Sequence, residues 1–129
     1  MKKLSKKALA GIFAAGLMTV IVSISAFAAT TFPGRPYNLV AGEISEPLSY
    51  PADENYMYFN TRPTAGEAGV YLTVVGPGVY LREEHFPFQV SRSPLKVDTT
   101  IGKGGHYTVY LTGSSTGSAG VLSAWTSAN

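Results

Sequence analysis

The chain has 129 residues, of which 14% are charged and none is cysteine. Without cysteine, disulfides, thiol nucleophiles and zinc–thiolate sites are excluded. Four of the ten Lys and Arg residues lie within the first seven positions, so residues 29–129 hold six basic and eight acidic residues, a formal charge of −2. That balance argues against a nucleic-acid or anionic-membrane partner.

The N-terminal segment has the order of a secretory signal peptide. Four lysines among the first seven residues precede an uncharged, mostly apolar run over 8–27, and the segment closes in Ala26-Phe27-Ala28. A basic start, an apolar centre and an A-x-A site are the three parts of such a signal. The sequence predicts a helical signal peptide over 1–28, cleavage after Ala28 and an extracellular product of 101 residues. Retention of the apolar run as a membrane anchor is the alternative, because about 20 apolar residues span a bilayer.

Beyond the signal, the pattern predicts strands. Residues 29–36 contain two prolines and a glycine, which exclude a helix, and are predicted to form an extended leader. Apolar and polar residues then alternate with a period of two, most clearly over 70–74, 95–101 and 106–112, as in half-buried antiparallel strands. Further strands are predicted over 37–41, 56–61, 79–84, 86–90 and 121–126.

Seven to eight short strands separated by Gly- and Pro-rich turns predict one all-β domain over 37–127. The expected architecture is an antiparallel β-sandwich or jelly roll. The stretch 112–118, rich in Ser, Thr and Gly, is predicted as a mobile hairpin loop. The inward positions give a predicted core: Val70, Leu72, Val74, Leu95, Val97, Ile101, Tyr107, Val109 and Leu111.

The sequence offers little catalytic chemistry. Gly113-Ser114-Ser115-Thr116-Gly117 matches G-x-S-x-G, but that motif needs a sharp turn from a strand into a helix, and here strands are predicted on both sides. His85 and His106 are predicted to be exposed and apart, whereas a catalytic zinc usually takes three protein ligands. We therefore predict no catalytic residue, no metal site and no cofactor. Calcium at Asp53-Glu54-Asn55 is the alternative, because hard cations bind carboxylates in loops.

Tyrosines form the most informative surface feature. Tyr56, Tyr58, Tyr80 and Tyr110, with Tyr71, occupy positions that should lie opposite the core-facing side chains. An exposed tyrosine can stack on a sugar ring or dock a peptide, since it combines an apolar body with a polar tip. The first four are the predicted ligand-binding residues. The alternative is that the rings are buried in a second core layer or cover loops.

Two short motifs carry a family resemblance. Gly105-His106-Tyr107-Thr108-Val109 is a strand entry in which the tyrosine can tie the strand to a neighbouring loop, and Asp53-Glu54-Asn55 leads into Tyr56-Met57-Tyr58-Phe59. Together they resemble the bacterial pre-peptidase C-terminal domains, over about 53–126. The resemblance implies a small jelly roll and a non-catalytic module that aids secretion or binds substrate. No binding residue is carried over from the family.

These observations predict a secreted, non-enzymatic binding or structural protein of the cell exterior. Its expected partner is a cell-wall glycan or another extracellular protein, and the sequence leaves its oligomeric state open. The alternative is a small secreted hydrolase or a hydrolase inhibitor. A hydrolase would need His85 or His106 to meet Asp98, Glu83 or a serine in one pocket.

Overall fold

A computed structural model describes residues 28–129, so the predicted signal peptide lies outside the described residues except for Ala28. The described part is all-β, as predicted. Its strands are β1 (Ala28–Thr31), β2 (Arg35–Leu39), β3 (Leu48–Pro51), β4 (Tyr56–Thr61), β5 (Val70–Gly76), β6 (Val79–Phe86), β7 (Leu95–Asp98), β8 (His106–Gly113) and β9 (Ser118–Ser127). Among residues 28–129, no helix is long and apolar enough to span a membrane.

The strands form two antiparallel sheets that pack as a β-sandwich. In the first, here called sheet A, the order is β1-β9-β4-β7, and β2 also pairs with β9. The second, sheet B, has the order β3-β8-β5-β6. The long strand β9 pairs with β2 through 118–122 and with β1 through 125–127. The sandwich is therefore built largely from partners distant in sequence.

The hydrophobic core lies between the two sheets. Along β4, β5, β7 and β8 every second residue is buried, because successive side chains of a strand point to opposite faces of its sheet. Sheet A contributes residues such as Met57 and Phe59, and sheet B contributes Leu72 and Val109, all completely buried. Eight of the nine predicted core residues are buried, namely Val70, Leu72, Val74, Leu95, Val97, Tyr107, Val109 and Leu111.

The prediction for Ile101 was wrong, since its side chain is 82% exposed. Strand β7 ends at Asp98, whose Oδ1 accepts a hydrogen bond from the N–H of Thr100 at 3.0 Å. This local bond from a side chain to the backbone two residues on forms a turn and ends the strand. Thr99 stays buried and donates its Oγ1 proton to the Glu54 carbonyl at 2.6 Å. Ile101 falls in the following turn.

Several element boundaries also differ from the prediction. The segment expected as a leader supplies β1 and the start of β2, so the sheet begins at Ala28 rather than at residue 37. Strand β3 was not predicted, and the strand expected over 86–90 is absent from the described structure after Phe86.

The loop between β8 and β9 is shorter and better packed than predicted. Only residues 114–117 separate the two strands. Ser114 and Ser118 are buried, the Ser118 hydroxyl donates to the Gly69 carbonyl, and Thr116 Oγ1 accepts from the N–H of Ala68 at 3.1 Å. These bonds tie the loop to the segment before β5.

The tyrosine of the Gly-x-Tyr strand entry ties the start of β8 to a neighbouring loop, as predicted. Tyr107 is completely buried, and its hydroxyl donates to the Pro77 carbonyl at 2.8 Å. Its ring occupies the space that a Cβ would need at Gly76 and at Gly102. Both glycines are required by this close approach, which fixes the β5–β6 turn beside the start of β8.

Candidate ligand-binding face

The outer surface of sheet B carries few charged side chains and several tyrosines. We call it the tyrosine face, and it consists of the side chains on β3, β5, β6 and β8 that point away from the core. They are Ser49, Pro51, Tyr71, Thr73, Val75, Tyr80, Arg82, Glu83, His85, His106, Thr108, Tyr110 and Thr112.

Formal charge is nearly absent from the tyrosine face. Its charged members are Arg82 and Glu83, which both lie opposite Thr73 at the bulge of β6, with both histidines counted as neutral. The Arg82 Nε lies 3.5 Å from an Oε of Glu83. The outer surface of sheet A, in contrast, carries Lys96 and Asp98 side by side along β7. Charge depletion with aromatic enrichment marks the centre of protein interfaces. The two faces of the sandwich therefore differ in kind.

One row of the tyrosine face crosses all four strands of sheet B. Tyr80 pairs with Val75, Val75 with Thr108, and Thr108 with Ser49. The side chain of Tyr80 is 64% exposed and that of Val75 is 37% exposed. An aromatic ring, an aliphatic group and two hydroxyls thus lie side by side, which gives a flat and amphipathic strip.

A second row is more rigidly held. Tyr71 pairs with His85, and their rings lie 4.9 Å apart at an angle of 38°. The His85 Nε2 is 2.8 Å from the Ala68 carbonyl oxygen, which fixes the imidazole and through it the tyrosine ring. On the other side, Thr112 pairs with Ile44, which is 63% exposed. Tyr110 lies between these two rows, half-buried and opposite Thr73.

The predicted ligand-binding tyrosines do not form one site. Tyr80 and Tyr110 lie on the tyrosine face, whereas Tyr56 and Tyr58 lie on the outer surface of sheet A. The ring of Tyr58 stacks on Trp125 at 5.5 Å and 10°, and the Lys96 Nζ lies 4.3 Å from the centre of the Tyr56 ring. The Tyr58 hydroxyl donates to the carbonyl of Asn129 at 2.6 Å. The rings of Tyr56 and Tyr58 are therefore packed on neighbouring side chains.

Sequence reasoning missed several members of the tyrosine face. Thr108, Thr112 and Val75 were not among the predicted ligand-binding residues. These residues lie together only because of which strands pair. Strands β3 and β8, for example, are neighbours in the sheet although they begin 58 residues apart, at Leu48 and His106. The one available signal was the alternation in β5 and β8, which places these residues outward but does not place them together.

Sheet A carries an open depression of about 620 Å³ near the end of β4. The buried hydroxyl of Tyr37 shares a 2.8 Å hydrogen bond with Thr61 there, and an Nη of Arg62 donates to the Gln89 carbonyl at 3.2 Å. The side chains of Tyr37, Thr61 and Arg62 are thus engaged with the protein, whereas the buried Oδ1 of Asn60 has no hydrogen-bond partner within residues 28–129. Its lining is Tyr37, Asn60, Thr61, Arg62, Thr64, Ala119, Gly120, Val121 and Ser123.

The residues considered for catalysis, Ser115, His85 and His106, form no hydrogen bond with one another within residues 28–129. Ser115 is exposed in the turn between β8 and β9, two strands, so the strand-to-helix context of a nucleophile elbow is missing there. His85 and His106 are exposed on different strands of sheet B. Within residues 28–129, no three His, Cys, Asp or Glu side chains are grouped so that they could hold a metal ion.

The predicted alternative calcium loop is occupied by contacts within the protein. The Asp53 carboxylate accepts a hydrogen bond from the Thr30 hydroxyl, and Asn55 Oδ1 lies 3.4 Å from Lys103 Nζ. Burial opposes ionisation of Asp53, but hydrogen bonds from Thr126 and Thr30 outweigh it and lower the pKa of this carboxyl. Asp53 thus connects β1 to the β3–β4 loop.

The fold and face define an all-β sandwich with an exposed, nearly uncharged tyrosine face. Comparisons of the chain with known protein families, curated proteins and solved structures found no match. The resemblance to pre-peptidase C-terminal domains stays a prediction.

Proposed function

We propose that residues 29–129 form a secreted, non-enzymatic domain that binds an extracellular ligand through the tyrosine face. The N-terminal sequence pattern supports secretion. The observation that carries the binding role is the exposed row of Tyr80 and Val75 within a face whose two charged side chains are paired with each other. Leaving such apolar area in water costs about 25 cal/mol per Å², and a ligand that covers it recovers that free energy.

The four sequence-predicted tyrosines divide into two classes under this proposal. The ring of Tyr80 is free to meet a ligand, whereas those of Tyr56 and Tyr58 are engaged with Lys96 and Trp125. Because exposed aromatic anchors dominate binding energy at interfaces, we expect Tyr80 to contribute most and Tyr110 to contribute at the centre.

Capture of ligand by variants of Tyr80 and Tyr56 tests the proposal. The immobilised 29–129 domain is exposed to the cell-envelope and secreted-protein fractions of the producing cells. Tyr80→Ala should lower retention at least about tenfold, the effect of losing roughly 1.4 kcal/mol of binding energy. Tyr56→Ala is the matched control on the other face and should retain ligand, with thermal melting used to confirm that both variants fold.

Two results would refute the binding role as stated. One is equal retention by Tyr80→Ala and wild type, which would place binding elsewhere. The other is turnover of a chromogenic ester or glycoside that disappears in His85→Ala or His106→Ala, which would make the protein a hydrolase.

A further inference from the structure

We infer that the ligand of the tyrosine face is an uncharged polysaccharide chain; this inference rests on the proposed function and specifies its ligand. The first argument is charge. An anionic glycan or an acidic peptide needs cationic partners, and a basic one needs carboxylates. The tyrosine face has only Arg82 and Glu83, whose opposite charges lie 3.5 Å apart and offset each other. A neutral ligand loses no ionic solvation when it is placed against this surface.

The second argument is the supply of hydroxyl groups. The hydroxyls of Tyr80, Tyr110 and Thr108 form no hydrogen bond with other groups in residues 28–129. Each can both donate and accept, as can the hydroxyls of a sugar. A hydroxyl that is already solvated exchanges its water for a sugar hydroxyl at little cost. The exposed Tyr80 ring offers an apolar surface for the C–H face of a pyranose.

The third argument concerns how a peptide would bind. Peptides commonly add as a strand to an exposed sheet edge, but both edges of sheet B are poor templates. Strand β3 is four residues long and ends at Pro51, which lacks an N–H donor. Strand β6 carries a bulge with Glu83 at φ 54°, and bulges interrupt edge pairing. The outer surface of sheet B, away from its edges, is therefore the surface that is accessible to a ligand.

Affinity electrophoresis of the 29–129 domain tests the inference. Native gels are cast with soluble neutral polysaccharides (amylose, β-1,3-glucan, mannan) or with anionic polygalacturonate, and sedimentation with cellulose and chitin covers insoluble chains. We expect retardation or co-sedimentation with at least one neutral chain and none with polygalacturonate. Tyr80→Ala should weaken that binding at least about tenfold. Val121→Ala, which changes an exposed apolar side chain on sheet A, should bind as the wild type does.

The outcomes separate the two proposals. Binding to no neutral chain, together with Tyr80-dependent capture of a secreted protein, overturns the polysaccharide inference and leaves the binding function standing. Preferential binding to polygalacturonate overturns the inference in the same way. If neither a polysaccharide nor a protein is retained in a Tyr80-dependent manner, both proposals are wrong.

Discussion

Two buried tyrosines differ in how their hydroxyls are satisfied. Tyr37 Oη is 2.8 Å from Thr61 Oγ1, whereas the buried Oη of Tyr50 has no hydrogen-bond partner within residues 28–129. The Tyr50 ring packs edge-on against Phe32 and Phe59. Burial without a partner costs free energy, while a made bond contributes. The ring of Tyr50 therefore stabilises the fold and its hydroxyl does not.

Replacing each of these tyrosines by phenylalanine tests that difference. Tyr37→Phe should lower the free energy of unfolding by about 1 kcal/mol, because it breaks a buried hydrogen bond. Tyr50→Phe should leave it unchanged or raise it. Urea denaturation of the two variants provides the measurement, and a larger loss for Tyr50→Phe than for Tyr37→Phe would contradict the hydrogen-bond assignment.

The same residues predict the alkaline limit of stability. Burial raises the pKa of Tyr37, Tyr50 and Tyr107 above the ordinary value of 10.0. Between that value and the raised one, the unfolded chain has lost the proton and the folded chain has kept it, so stability falls as pH rises. Urea unfolding across pH 9–11.5 should give a free energy of unfolding that does not change below about pH 10 and falls above it. The fall should be shallower in Tyr50→Phe. A stability that rises over this range would contradict the prediction.

At the scale of elements, the β6 bulge holds a non-glycine residue in the left-handed region. Glu83 has φ 54°, and its N–H donates to Thr73 Oγ1 at 3.2 Å. A side chain in that conformation costs about 1 kcal/mol, which glycine avoids. The bulge is accordingly a position where glycine suits the backbone better than glutamate.

Glu83→Gly should therefore be neutral or stabilising by up to about 1 kcal/mol. Glu84→Gly is the matched control on the same strand, where the backbone is ordinary, and it should destabilise by about 0.5–1 kcal/mol. Thermal or urea unfolding of both variants decides the point. Equal destabilisation by the two substitutions would show that the bulge conformation carries no cost.

The strands that sequence reasoning located are those with sustained alternation, such as β4, which was placed exactly. Strand β3 was missed because Leu48-Ser49-Tyr50-Pro51 alternates over only four residues and ends in proline, a turn signal. Ile101 was misplaced because the Asp98 side chain ends β7 three residues early. The alternation of apolar and polar residues carries no information about local hydrogen bonds from side chains to the backbone or about which distant strands pair.

At the scale of the whole molecule, the core between the sheets provides the stability of a chain without disulfides. Leu111→Ala removes a side chain that is 1% exposed, and it should lower the free energy of unfolding by about 2–5 kcal/mol. Ile101→Ala is the matched control, because that side chain is largely exposed, and it should stay within about 0.5 kcal/mol of wild type. Chemical denaturation checks both, and comparable losses would contradict the assignment of the core.

The sequence predicted which tyrosines of the candidate face point outward but not which of them lie on the same sheet. Alternation correctly placed Tyr80, Tyr110, Tyr56 and Tyr58 outside the core. It did not show that the first two belong to sheet B and the last two to sheet A, because strand order is set by contacts between distant segments. The exposure of Tyr80 and the packing of Tyr58 on Trp125 depend on how the sheets assemble, which the sequence pattern does not show.

The most direct test of the tyrosine face uses the lack of cysteine in the chain. Ser49→Cys and Ser123→Cys place a single thiol at exposed serines on the outer surfaces of sheet B and sheet A respectively. Each variant is labelled with a bulky maleimide, and its retention on the envelope and secreted-protein fractions is measured against the unlabelled form. We predict that the label on residue 49 abolishes retention and that the label on residue 123 has no effect. Unchanged retention with the label on residue 49, or loss only with the label on residue 123, would contradict the assignment of binding to the tyrosine face.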